Sequence, residues 1–376
     1  MILPGGAHLG YCTNVHPSES LAELEAALRG VAAQVREELD AETLGLGLYL
    51  SAAAAREAEP ARLADLLSEL GLYAFTLNGF PYGGFHAGRV KEAVYRPDWT
   101  DPRRAEHTLR LAEVIQGLAP ESVAEPTIST VPLGWRVGWS DEASDAAARA
   151  LADVARALRA QAHARGRAVR LCLEPEPGCV VETAAGAARF FEGPLARAAG
   201  ADAEAVRAHL GVCYDVCHQA VMLEEPDQVL GVLADAGIVV GKVQLSCALE
   251  LREPQNAEAR AALAAFDEPR YLHQACAGGG SRADDLPQAI AEFPRDRPWR
   301  VHFHVPIDGD PGGAMGTTRD ELAHAATLLR ATGTTAHYEV ETYTWSVLPE
   351  AERPRDDAAL AAGLAREVAW AREALA

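Results

Sequence analysis

The stretch Leu171-Cys172-Leu173-Glu174-Pro175-Glu176-Pro177-Gly178 begins as a buried strand and ends as an acidic turn. Its uninterrupted apolar opening suits a strand covered on both faces. Period-two alternation then sets Glu174 and Glu176 on the same side. Upstream, an Ala/Arg-rich helix spans residues 141–165, with an Asp-rich first turn that matches the positive end of the helix dipole. Downstream, Thr183 caps a further helix before an apolar run at 210–215. The same strand-then-helix unit recurs towards both ends of the chain. Strands are expected at 8–14, 44–51, 74–79, 122–129, 239–246, 299–305 and 336–343; helices are expected from Ser20 through 39 and at 60–70, 102–118, 227–236, 318–331 and 357–375. Ser20 and Glu23, three apart, form a capping box at the first helix.

Repeated units of this kind build a parallel sheet with helices on both faces, either closed into a barrel or doubly wound. Eight units close a (β/α)8 barrel, and counting favours it if the segment at 299–305 is a surplus strand. A long excursion follows the strand at 239–246, and its 271–277 piece is expected as a hairpin over the barrel mouth.

Of 376 residues, 34 are Lys or Arg and 54 are Asp or Glu, giving a formal charge of −20. Such a chain repels a phosphate backbone or an anionic membrane surface, so nucleic acid is not an expected partner. With 49% hydrophobic and 23% charged residues, disorder and fibrous structure are excluded in favour of a large core. Apolar runs fall short of the roughly 18 residues that span a bilayer, and the first ten residues lack a basic-then-apolar leader pattern. A cytoplasmic protein without membrane insertion is expected. The cysteines number 7, without zinc-type pairs, and read as buried free thiols. Among the basic residues only Lys91 and Lys242 are lysine.

Ionisable residues at the ends of apolar strands need partners or a metal. Beyond Glu174 and Glu176, Asp215 ends one strand with His218 three residues on. Lys242, Gln244 and Ser246 share a face of the next, His302 and His304 a face of the surplus strand, and Glu339 and Glu341 a face of the last. Singly, each has a plain structural role. A glutamate can pair with arginine, Asp215 and His218 can form a hydrogen-bonded turn, Lys242 can form a salt bridge low in the barrel, and the two histidines can pack under loops. Gathered at successive strand ends, they are most economically satisfied by a divalent cation, and mixed O/N ligation without thiolates admits Mn²⁺, Mg²⁺, Zn²⁺, Fe²⁺ or Co²⁺.

Leu173-Glu174-Pro175, Asp215-x-x-His218 and Val340-Glu341, in this order over nearly the whole chain, resemble the xylose-isomerase-like superfamily of TIM barrels. That superfamily includes the ketose 3-epimerases and the endonuclease IV type of metal hydrolase. The segments at 8–17, 78–83 and 129–132, with Tyr271-Leu272-His273-Gln274 and Glu339-Val340-Glu341-Thr342-Tyr343-Thr344-Trp345, are similar to metabolite traffic proteins of the EboE type. Those proteins take their name from an operon linked to moving a secondary-metabolite precursor. The resemblance implies an α/β fold, a (β/α)8 TIM barrel over residues 1–376, with an insertion at 247–298 between the seventh and last barrel strands. It also implies Glu174, Asp215 and Glu341 as ligands of a divalent metal (Mn²⁺, Mg²⁺ or Zn²⁺). Where the superfamily usually supplies a histidine or aspartate from strand seven, this chain has Gln244, so that either metal affinity falls or His304 compensates. His218 would bind substrate or serve catalysis, and Asn14, His16, Asn78, Tyr82 and His86 would contact substrate. Glu176 and Lys242 join them as candidates.

Three functions follow. One is a metal-dependent sugar or sugar-phosphate isomerase or epimerase, acting on a small polyhydroxylated carbonyl compound with Glu174 and Glu341 moving the proton. Another is a phosphate-ester hydrolase with several metals, using His218, His302 and His304 as extra ligands. The third is a non-catalytic metabolite-binding protein, for which Tyr82, Phe85, Trp99, Trp135, Trp139 and Trp345 would line the mouth. All three have a small-molecule partner and leave homo-oligomer formation open.

Overall fold

Eight short strands carry almost entirely buried side chains. They are β1 (His8–Cys12), β2 (Leu44–Tyr49), β3 (Leu72–Asn78), β4 (Thr127–Thr130), β5 (Arg170–Leu173), β6 (Leu210–Asp215), β7 (Val240–Leu245) and a last strand, His337–Val340. In a computed structural model of the protein, which describes every residue except Phe85, Ala87 and Pro311, these strands pair in parallel around a closed ring. The expectation placed on Phe85 therefore lies outside the described residues.

Helices cover the ring. Their starts are written in the sequence: the Ser20–Glu23 capping box forms, and Asp101, Ser140, Thr183 and Asp356 accept hydrogen bonds from the first turns of the helices they precede. No helix among the described residues is long and apolar enough to cross a membrane.

Between β7 and the last barrel strand the chain builds a second, antiparallel sheet. Its strands are β8 (Cys247–Leu251), β9 (Ala275–Ala277), β10 (Ser281–Ala283), β11 (Trp299–Val305) and β12 (Met315–Thr317), so the barrel strand His337–Val340 is β13. The order is β10-β9-β11-β8-β12. The surplus strand of the sequence is thus the central strand of this sheet, and the excursion from the barrel runs past residue 298 to β12. The hairpin expected near 271–277 is β9 paired with β10.

Several barrel-strand ends differ from expectation by a residue or two, and two differ by more. The strand expected from 122 starts at Thr127, because Pro126 has no N–H to offer a ladder and Val123 turns back on Pro120. The last strand stops at Val340, where the chain bends into a 3₁₀ turn, Tyr343–Val347.

Register decides what meets inside the ring. Asp215 pairs with Gln244, and Gln244 with Glu339, so three polar side chains share one level. Lys242 lies one level lower, and its Nζ donates to Glu339 with both side chains fully buried. Glu339 fills the barrel so completely that a Cβ on Gly47 would sit 1.5 Å from its Oε1, which is why β2 carries glycine there.

Candidate metal centre

Glu174, Asp215 and Glu341 emerge at the C-terminal ends of β5, β6 and β13, and each offers an oxygen within 4.8 Å of the others. All three are buried. Ser246 Oγ and His218 N each donate to Asp215 Oδ1 at 2.9 Å, so the aspartate caps the helix Val216–Val221 with one oxygen. Among the described residues its Oδ2 has no hydrogen-bond partner. Glu341 Oε1 accepts from both Asn14 Nδ2 and Asn78 Nδ2 at 2.8 Å. Glu174 Oε2, both amide atoms of Gln244 and Nε2 of His304 are likewise buried without hydrogen-bond partners among the described residues.

Burial of an unpaired polar atom costs about 1–3 kcal/mol, more for a charge. Native structures therefore satisfy such groups, and the close approach of Glu174, Asp215 and Glu341, with unpartnered oxygens among them, fits a cation. The donor types agree: carboxylate oxygens, an amide oxygen and an imidazole nitrogen suit a divalent ion of the Mg²⁺, Mn²⁺ or Zn²⁺ kind. Two oxygens on one such ion stand up to about 4.2 Å apart, so a small closure of side chains would complete the shell.

Electrostatics point the same way. Burial, then the charge of Asp215, raises the Glu174 carboxyl to about 8. Burial, then Glu174, pushes Glu341 well above the carboxylate range. Burial also opposes ionisation of Asp215, but His218, His304 and its two donors outweigh that and hold it below its ordinary value. A cation would reverse the penalties on the two glutamates.

Three histidines border this oxygen cluster. His304 Nδ1 faces Glu341 O at 2.7 Å, His218 Nδ1 faces Pro175 O at 3.1 Å, and His302 Nδ1 faces Gln274 Oε1 at 2.7 Å. Gln274 Nε2 donates to Pro177 O and the Tyr95 hydroxyl at 2.8 Å each, which fixes its oxygen towards His302. Each ring thus spends its Nδ1–H on an acceptor and turns a bare Nε2 inward. His304 Nε2 lies 3.8 Å from Asp215 Oδ2, and Asp215, His218 and His304 offer a further group of donor atoms within 4.8 Å of one another.

A cavity of about 520 Å³, counting the solvent at its mouth, opens onto this floor. Asn14, Asn78 and Glu176, three of the residues named as substrate candidates, line it together with Glu174, His218 and Glu341. Glu176 Oε1 accepts from Tyr95 at 2.7 Å, and burial raises its carboxyl to about 8.

Four expected contacts fall elsewhere. Lys242 is spent on Glu339 inside the barrel. His16 is buried against the Tyr11 hydroxyl at 3.0 Å. Tyr82 packs on the edge of His107, and His86 Nε2 sits 2.5 Å from Asn14 O. The mouth aromatics are corrected too. Trp99 bonds Val131 O, Trp345 bonds Glu367, Trp139 bonds Ser144 and Trp135 stacks on Tyr95; none lines the cavity. Their places are taken by Phe80, Tyr271 and Tyr343, which sequence reasoning did not select, and by Lys91, whose rarity in this chain was the one available signal.

Fold and site together define a (β/α)8 barrel with a candidate divalent-cation centre at the C-terminal ends of its strands. No protein-family model and no curated protein matches the chain. Among solved structures it is similar to a xylose isomerase-like TIM barrel protein from Mycobacterium smegmatis in complex with magnesium, with a TM-score of 0.54, 11% identity and 100% of both chains covered. A D-tagatose 3-epimerase-like protein aligns with a TM-score of 0.50, 11% identity and 94% of each chain. An IOLI protein with a zinc atom follows at 0.48, 13% and 98% of each chain. At these identities the likeness establishes the fold, that of xylose isomerase-like TIM barrels.

Proposed function

We propose that this protein is a divalent-cation-dependent isomerase or epimerase that moves a proton on a small polyhydroxylated carbonyl compound. The supporting observation is the convergence of Glu174, Asp215 and Glu341 within 4.8 Å on one buried point, with unpartnered oxygens among them. Those three residues would hold the ion, with Gln244 and His304 completing the set. When bound, the ion supplies Lewis acidity, which makes a hydrogen beside a carbonyl easier to remove.

The chain's own residues do the rest. Glu174 and Glu341 border both the ion site and the cavity, so either can take a proton from carbon and the other return one. Both carboxyls, whose proton affinity is raised without the ion, would be ionised beside it and able to accept a proton from carbon. Asn14 and Asn78 fix the Glu341 oxygen, so the base is aimed before substrate enters. His218, tied by Nδ1 to Pro175 and with Nε2 facing His302, borders the cavity and would shape it beside the ion site. Sequence similarity to metabolite traffic proteins of the EboE type supports a role on a secondary-metabolite precursor in the cytoplasm.

Deuterium uptake tests this reading. Protein with one equivalent of Mn²⁺ is incubated with sugars, cyclitols and α-hydroxy ketones bearing an apolar ring in D₂O and carbon-bound deuterium is read by NMR. Uptake with the wild type but not with Glu341→Gln supports it; uptake with none of the compounds overturns it. Hydrolysis at a multi-metal centre is a second reading, favoured by one observation: His218 Nε2 and His302 Nε2 face each other at 3.1 Å. Two imidazole nitrogens about 2.0–2.1 Å from one ion would stand at such a separation.

A further inference from the structure

Resting on the isomerase reading, we propose that the substrate carries no phosphate or other fixed anion and is held beyond its chelating oxygens by an apolar ring. The observation is a division of the cavity. Its floor is polar, but the walls rising from it are not. Phe80, Val90 and Val94 come from the loop after β3, Tyr271 and Leu272 from the insertion, and Tyr343 from the turn after β13. Tyr271 and Tyr343 meet edge to face, with centroids 5.1 Å apart. Hydroxyls spread along a sugar would lose water against the valines, the leucine and Phe80 and gain no partner there. An apolar ring loses nothing at those side chains and gains burial.

Apart from the proposed ion, which the chelating oxygens would occupy, the described lining offers a phosphate no unpaired cation. Among the described residues lining the cavity, Lys91 is the one Lys or Arg, and its Nζ lies 2.6 Å from Asp285 Oδ2. Asp285 Oδ1 in turn accepts from His273 N at 3.0 Å and Leu286 N at 3.1 Å, so the pair is locked into the insertion. The backbone donors beside it are spent as well, because Val90 N and Lys91 N both donate to Arg270 O at 2.8 Å. The Arg270 guanidinium lies 5.7 Å over Tyr271 and is bonded to Ser346 Oγ at 3.2 Å. Three glutamates also face the cavity, so a phosphate beside them would meet acid.

The test is a ranking of ligands by isothermal titration, with and without one equivalent of Mg²⁺, using 4-methylcatechol, D-fructose and D-fructose 6-phosphate. The expected result is 4-methylcatechol bound at least roughly tenfold more tightly than D-fructose, with the phosphate no tighter than the free sugar. D-Fructose 6-phosphate bound about tenfold more tightly than D-fructose, or catechol no tighter than D-fructose, overturns the assignment. Val94 is half-buried, and Val94→Arg should raise affinity for the sugar phosphate about tenfold by adding the missing cation. The two ideas fail separately. Loss of Mg²⁺ binding would remove the proposed reaction, while the ranking on the metal-free protein would still stand or fall by itself.

Discussion

His218 Nε2 stands 3.1 Å from His302 Nε2, and neither carries the hydrogen that a bond between them needs. Both Nδ1–H groups are committed to Pro175 and Gln274, and burial disfavours a shared proton by lowering the His218 ring to about 4 and His302 further. Two lone pairs pressed together are relieved by a soft-accepting cation. Zn²⁺ in excess is therefore expected to bind at about two ions per chain and Mn²⁺ at about one. His218→Ala should return the zinc count to one and leave manganese unchanged. Elemental analysis after gel filtration reads both numbers.

Glu341→Gln keeps an amide oxygen where Asn14 and Asn78 donate, so the fold should survive. It removes the charge and the proton acceptor. Solvent exchange into substrate should fall by roughly 10²–10⁴-fold, and Mn²⁺ should bind more weakly. Exchange within about threefold of the wild type would remove Glu341 from the proton path.

Stability of the metal-free protein should decline as pH rises from about 6.5 to about 8. Glu174 and Glu176 titrate near 8 in the folded chain, against an ordinary 4.5. Over that window the unfolded chain has released protons that the folded chain still holds, so deprotonation favours unfolding. Below it, buried histidines such as His16, His107 and His337, each lowered to about 3, impose the opposite slope. Saturating Mn²⁺ should flatten the alkaline limb and leave the acid limb in place. Thermal melts at several pH values, with and without the ion, show which limb moves.

Lys242→Met should cost about 3–5 kcal/mol, because it strands the Glu339 charge in the barrel. The double variant Lys242→Met/Glu339→Gln should recover most of that loss, and urea unfolding measures both. A single variant as stable as the wild type would mean that Glu339 is already neutral.

The barrel and the three candidate oxygen ligands stood out in the sequence for one physical reason. A strand buried on both faces has to be apolar, so Glu174, Asp215 and Glu341 stand out where they break the pattern. Gln244 and His304 could be paired by noting what strand seven lacked, although nothing in the sequence says how far β11 reaches into the site. The cavity walls were not legible. Tyr271, Leu272 and Val94 become neighbours only through the docking of a loop and a sheet remote in sequence, and no local period records that. The tryptophans misled for the converse reason: a large aromatic in a loop is as readily drawn under the surface by burial as left at the mouth.

β11 sits outside the cylinder yet delivers His302 and His304 to its rim. The cylinder presents mainly oxygen donors, a setting that suits hard ions such as Mg²⁺, with His218 behind β6 as its one bordering imidazole among the described residues. Two further imidazoles enter with the appended sheet, so a modest shift or exchange of that one strand would retune which ion the centre prefers while every barrel residue stayed in place. Metal choice in this architecture is in that sense modular, set by an accessory layer that can vary without disturbing the framework beneath it.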